Sequence, residues 1–171
     1  MNDFSNHNVS GVKSFVDYLM KIYDDSMRST NPSWKAGREM FENKTEYRNE
    51  DITGFKPELT AYNQGAEVTR HVLGHAGVIL AGKGMDDAFD MRHPQTRQGP
   101  GGVGTFLGQL TSNIVDIVDR WQSSVQGREQ SKAEVADNTA ARKVAHEFTK
   151  AIEGEITREQ LQQNLLRILG N

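Results

Sequence analysis

Apolar residues recur along this chain at intervals of three and four, and nowhere do they alternate with polar ones over a useful length. The pattern is that of helices and not of strands. Val12, Phe15, Val16, Leu19, Met20, Tyr23 and Met27 form one stripe behind Ser10, a residue suited to an N-cap, and predict an amphipathic helix over 10–28. Asn31, Pro32 and Ser33 interrupt the period, and Ser33 can cap a shorter helix carrying Trp34, Met40 and Phe41. Residues 44–59 have no period and contain Gly54 and Pro57, so they read as a loop. The stretch 62–81 follows, with Val68, Val72, Ala76, Ile79 and Leu80 on one helical face, and is expected to be a central, mostly buried helix. Gly74 and Gly77 each weaken a helix interior by about 1 kcal/mol. Their presence implies that another element passes close to this helix.

The segment from Gly82 to Gly104 lacks a convincing period, and predicts a long Gly/Asp-rich loop at 82–102 that serves as a hinge or lid. From Val103 the stripe returns through Phe106, Leu107, Leu110, Ile114, Ile117, Trp121 and Val125, the longest in the chain. Leu110, Ile114, Ile117 and Trp121 are therefore expected in the core. Another helix is expected over 129–153, its face of Ala133, Ala136, Ala140, Val144, Phe148 and Ile152 small enough for close packing, with Gly154 as its stop. Thr157 and Gln160 have capping-box spacing ahead of Leu161, Leu165, Ile168 and Leu169, and Gly170 sits where a C-terminal cap belongs. The fold class read from this pattern is all-α: a compact orthogonal bundle of four to six helices around the central one, in a single domain spanning 1–171.

Composition narrows the function classes. A mean hydropathy of -0.66 and the absence of any run approaching 18 apolar residues argue against a membrane span. The net charge of -3 gives no basic excess, so capture of nucleic acid is not favoured. There is no cysteine, which removes disulfides, thiolate nucleophiles and Cys-type zinc sites. The first residues have neither a charged region nor an apolar core of signal-peptide type, so residence in the cytoplasm as synthesised is the expectation, with export by a route that cleaves no signal left open.

Three groups of residues are able to carry chemistry. Glu67, His71 and His75 follow one another at i, i+4 and i+8, in a column along about two helical turns, with Arg70 beside them. The HVLGH spacing resembles that of metalloprotease helices, but Val72 stands where the general base would be, so the zinc mechanism fails and no metal or other cofactor is expected. His71 oriented by Glu67 can still serve as a general base, while the plainer alternative is a pair of histidines satisfied within a tight helix contact. Glu134, Asp137, Asn138 and Arg142 share one side of the 129–153 helix, either as solvated i, i+4 pairs or as groups that reach His71 across a helix contact. Asp86, Asp87, Asp90 and His93 precede GPGGVG at 99–104, where a carboxylate metal site or a phosphate cradle is the weaker alternative to a lid.

The RH pair at 70–71, HAG at 75–77 and ADNTAAR at 136–142 with its closing amphipathic helix resemble small helical modules of the bacterial polymorphic-toxin and RHS-associated kind, over residues 60–169. That resemblance implies an effector, with a neutralising immunity-type protein as its partner. The residues read together suggest a small hydrolytic enzyme of unknown substrate. In it His71, Glu67 and Asp137 are catalytic, and Arg70, Glu134, Asn138 and Arg142 hold substrate. The alternative is a non-catalytic helical module that binds a protein through an exposed apolar stripe.

Overall fold

The computed structural model describes residues 11–28, 30–41, 47, 52–60, 66–93, 95, 102–113 and 132–170. Among these residues the fold is all-α. The helices are α1 (Val12–Arg28), α2 (Thr30–Phe41), the single turn α3 (Pro57–Thr60), α4 (Ala66–Arg92), α5 (103–113), α6 (Lys132–Ile152) and α7 (Arg158–Leu169). The one extended pairing described is an antiparallel bridge between Phe55 and Gly170. No described helix is long and apolar enough to cross a membrane.

The α1 stripe behaves as its spacing requires: Phe15, Val16, Leu19, Met20 and Tyr23 are buried, and Met27 at the end of the helix is exposed. Its first turn is closed from a distance, since Val12 N donates to Thr53 O at 2.8 Å. The stretch read as loop contributes more than connection. Tyr47, Ile52, Phe55 and Leu59 are all in the core, and the Tyr47 ring lies 5.2 Å from Phe15 and 4.8 Å from Tyr18. At the other end of the chain, Gly154 takes φ 77° after α6, and the capping box of Thr157 and Gln160 opens α7 as its spacing predicts. Gly170 caps α7 through a 2.7 Å bond from its N–H to Leu166 O, but in an extended conformation that lets it meet Phe55. Arg158 clamps α7 to α1 with two 2.7 Å bonds to Asp24.

α4 is the centre of the bundle and packs against α2 and α6. It starts at Ala66 and continues to Arg92, so residues 82–92, expected to be loop, are its last three turns. The reason lies in glycine. A Cβ on Gly37 of α2 would stand 2.5 Å from Gly77 O and 2.6 Å from Ala81 N, so α2 and α4 touch backbone to backbone. α5 repeats the arrangement on another side, where the backbones of Gly82 and Gly104 meet and a Cβ on Gly108 would lie 2.6 Å from Val78 O. Glycines that look like helix breakers along the sequence are contact surfaces in the fold. Gly74 is the exception, with open space where its Cβ would be among the described residues.

The same contact turns α5 over relative to its apolar stripe. Its buried side is Gly104, Thr105, Gly108 and Ser112, and the bulky residues Val103, Phe106, Leu107 and Leu110 face outward, Leu110 at 45% exposure. Leu110 is thus not a core residue, and Ile114, Ile117 and Trp121 lie outside the described residues. A bulky side chain cannot enter a seam in which two backbones already touch.

Two of the four glycines of α4 make opposite predictions. Gly82→Ala is expected to cost about 1–3 kcal/mol, because its methyl group must push α5 away. Gly74→Ala is expected to gain about 0.4–1 kcal/mol from a stiffer unfolded chain. Urea melts of the two variants beside the parent check both signs.

Candidate active site

The Glu67, Arg70 and His71 side chains meet within the first two turns of α4. Arg70 Nη2 is ion-paired with Glu67 Oε1 and lies 3.2 Å from His71 Nε2. His71 Nε2 is in turn 3.3 Å from Glu67 Oε1. With a proton on Nε2 the ring faces a carboxylate acceptor, and without one it faces a guanidinium donor, so the imidazole keeps a partner in either state. The Arg70 side chain is 56% exposed, whereas those of His71 and Glu67 are 13% and 19% exposed. The guanidinium therefore forms the outer rim and the imidazole lies just inside it.

His75 belongs to the packing. It is buried, and its Nδ1 lies 2.5 Å from the buried Ser112 Oγ across the α4–α5 seam. His75→Ala is expected to lower stability by about 1–3 kcal/mol by leaving that hydroxyl enclosed and unmatched. Ser112→Ala should lose little further on top of it. A double-mutant cycle in denaturant measures the coupling.

α6 brings the second half of the cluster. Asp137 is fully enclosed, and neither carboxylate oxygen has a hydrogen-bond donor among the described residues. Its pKa is pushed from the ordinary 3.8 up to about 7, first by burial, then by the negative charges of Glu67 across the helix contact and Glu134 one turn away. That coupling joins the α6 acids to α4. Asn138, beside it, is also enclosed, with no donor to its Oδ1 among the described residues, and Arg142 is half-buried with Nε inside. The junction of these helices is a closed polar seam in this structure, and Asp137 and Asn138 do not line a surface cleft.

The aspartates proposed for the lid have local duties. Asp86 accepts from Gly104 N, Thr105 N and Thr105 Oγ1, the bonds to Thr105 being 2.7 and 2.6 Å, and so caps α5 from the side of α4. Asp87 is ion-paired with Lys83. No three His, Asp or Glu side chains among the described residues come together in a way that could hold a metal ion.

A second feature lies on the opposite side of α6 and had no counterpart in the sequence reading. Lys56, Lys132, Lys143 and Arg167 line a cavity of about 500 Å³ bounded by α3, α6 and α7. The one available signal was weak: Lys132 and Lys143 are eleven residues apart, three helical turns, and so share a face. The other two cations reach them only through the tertiary fold.

No protein-family model matches this chain, and neither does any curated protein or solved structure.

Proposed function

We propose that the protein is a small hydrolytic effector that works by general acid–base catalysis at the junction of α4 and α6. The observation that carries this reading is Asp137, a carboxyl kept out of water, given no hydrogen-bond donor among the described residues and held at a pKa of about 7 beside Glu67. An enclosed acid without a partner costs stability, and such groups concentrate where a proton has to be moved near neutral pH. In the proposed step His71 takes a proton from water, and the oxygen of that water forms a bond to the electrophilic centre of the substrate. Protonated Asp137 gives its proton to the leaving group as the scissile bond breaks. The products together contain one added water, and the two residues exchange a proton to reset. Glu67 orients the imidazole at 3.3 Å, and Arg70 on the rim meets an anionic or strongly polar substrate. The step requires α4 and α6 to part at the level of Glu67 and Asp137. The effector part of the reading rests on the resemblance of 70–71, 75–77 and 136–142 to polymorphic-toxin modules.

A second reading has its own observation. Val103, Phe106, Leu107 and Leu110 form an exposed apolar stripe on α5, the kind of surface that docks a partner helix, and favour a non-catalytic interaction module. The deciding experiment assays parent and His71→Ala against glycan, peptide, nucleotide and nucleic-acid substrates, and compares their effect on growth when expressed in a bacterial host. Turnover or growth arrest by the parent alone supports the enzyme. Activity that survives in the folded variant, or that is absent from the parent while the α5 stripe retains a partner, favours the module.

A further inference from the structure

The cavity bounded by α3, α6 and α7 collects four cations, Lys56, Lys132, Lys143 and Arg167, against one carboxylate, Glu58, in a chain whose net charge is -3. Among the described residues none of the four is ion-paired with an acid. Several other cations are matched within a turn or across the fold, as in Lys35 with Glu39, Lys83 with Asp87, and Arg158 with Asp24. The acid best placed to neutralise Lys143 is Glu147, one turn further along α6, and it is already held by Lys150 at 2.9 Å and Asn164 at 2.6 Å. Four like charges brought into one concavity against a single counter-charge repel one another, and that repulsion is relieved when an anion enters.

Two of the cations are fixed in advance. Lys56 Nζ donates to Arg167 O at 2.6 Å, and Arg167 Nη2 donates to Asn164 Oδ1, so both side chains are anchored around the last turn of α7. Lys132 and Lys143 are exposed and separated by about 16 Å along the α6 axis, so their ammonium groups approach the cavity from its two ends. A single carboxylate or monophosphate satisfies one end; acceptor oxygens spread over several ångströms satisfy both. The floor is apolar, with Leu59, Ala140 and Ile168 beneath the charged rim, and the volume is that of a site for a small organic molecule.

We propose that this cavity binds a small soluble molecule that carries two or more linked phosphates on an apolar or planar body, with a nucleoside diphosphate as the type. The linked phosphates lie among Lys132, Lys143 and Arg167, and the body rests on the apolar floor. The site is on the face of α6 opposite Asp137, so the inference stands apart from the hydrolytic reading.

Calorimetric titration of the full chain with ADP, pyrophosphate, adenosine and a short single-stranded oligonucleotide tests it. ADP is expected to bind saturably at one site, weaken as salt is raised, and raise the melting temperature, with pyrophosphate weaker and adenosine not saturating. The Lys132→Glu/Lys143→Glu double variant changes only exposed side chains and should keep the parent's melting temperature. It should bind ADP at least about tenfold more weakly, because two attractive charges become repulsive. Asp137→Asn should leave ADP affinity unchanged, which separates this site from the α4–α6 cluster. The proposal is overturned by a lack of saturable binding of both ADP and pyrophosphate, or by equal ADP affinity in the double variant. It is equally overturned by tight oligonucleotide binding that ADP does not displace, which would assign the surface to nucleic acid.

Discussion

Asp137→Asn is expected to melt higher than the parent at pH 8 and close to it at pH 4. In the folded parent the carboxyl titrates near 7, because burial and the charges of Glu67 and Glu134 all disfavour its ionised form, whereas in the unfolded chain it titrates near the ordinary 3.8. Between those values the folded state holds a proton that the unfolded state has released. The parent's stability is therefore fully present below about pH 4, falls as pH rises, and reaches its lower level once Asp137 ionises around pH 7. Three pH units at about 1.4 kcal/mol each set an upper bound of roughly 4 kcal/mol, reduced by whatever water the seam admits on ionisation. For a chain of this size about half of that bound corresponds to roughly 4–8 °C. Asparagine is neutral throughout and presents an amide donor where Asp137, once ionised, confronts two other carboxylates. The test is the difference between the two melting curves from pH 4 to 9. A constant difference across that range would sink the argument, because it would place Asp137 in water or beside a cation.

His71→Ala is expected to reduce turnover by at least about 100-fold on any substrate the parent hydrolyses, with the melting temperature within a few degrees of the parent. The ring lies at the rim of the seam, its Nε2 between the Glu67 carboxylate and the Arg70 guanidinium, so its removal takes away a proton acceptor that is held in place in both protonation states. Glu67→Gln keeps the shape of the orienting residue without its charge, and is expected to lower kcat by a smaller factor and leave KM nearly unchanged, which marks positioning and not substrate binding. The contrast with His75→Ala separates chemistry from packing: one variant loses turnover and keeps its fold, and the other loses stability first. Equal turnover by folded His71→Ala and parent would leave the exposed stripe of α5 as the better guide to function.

The arrangement of groups that suggests catalysis was half legible. Glu67 and His71 meet because they are one helical turn apart, and that spacing is fixed as soon as the segment is helical. Their relation to Asp137 is not local. Residues 67 and 137 are coupled only because α6 lies against α4, and the pKa of about 7 arises from the burial that this contact imposes. The cationic cavity lay further still from the sequence pattern, since Lys56, Lys132 and Arg167 come from three separate parts of the chain.

By itself the sequence determined the helices whose apolar residues line one stripe and whose ends carry their own caps. The α1 stripe, the stop at Gly154 and the Thr157–Gln160 box all follow from interactions within a few residues, and the structure reproduces each of them. The tertiary structure alone decided the length of α4 and the facing of α5. Residues 82–92 have a weak period and contain glycine, but their backbone is held where α5 packs against Gly82, and Asp86 secures the start of α5 in return. A periodic stripe reports which side of a helix is apolar; it does not report which side another backbone will approach. Where glycines let two helices touch directly, the seam excludes large side chains, and the apolar stripe of α5 is turned outward by the same contact that holds the helix in place.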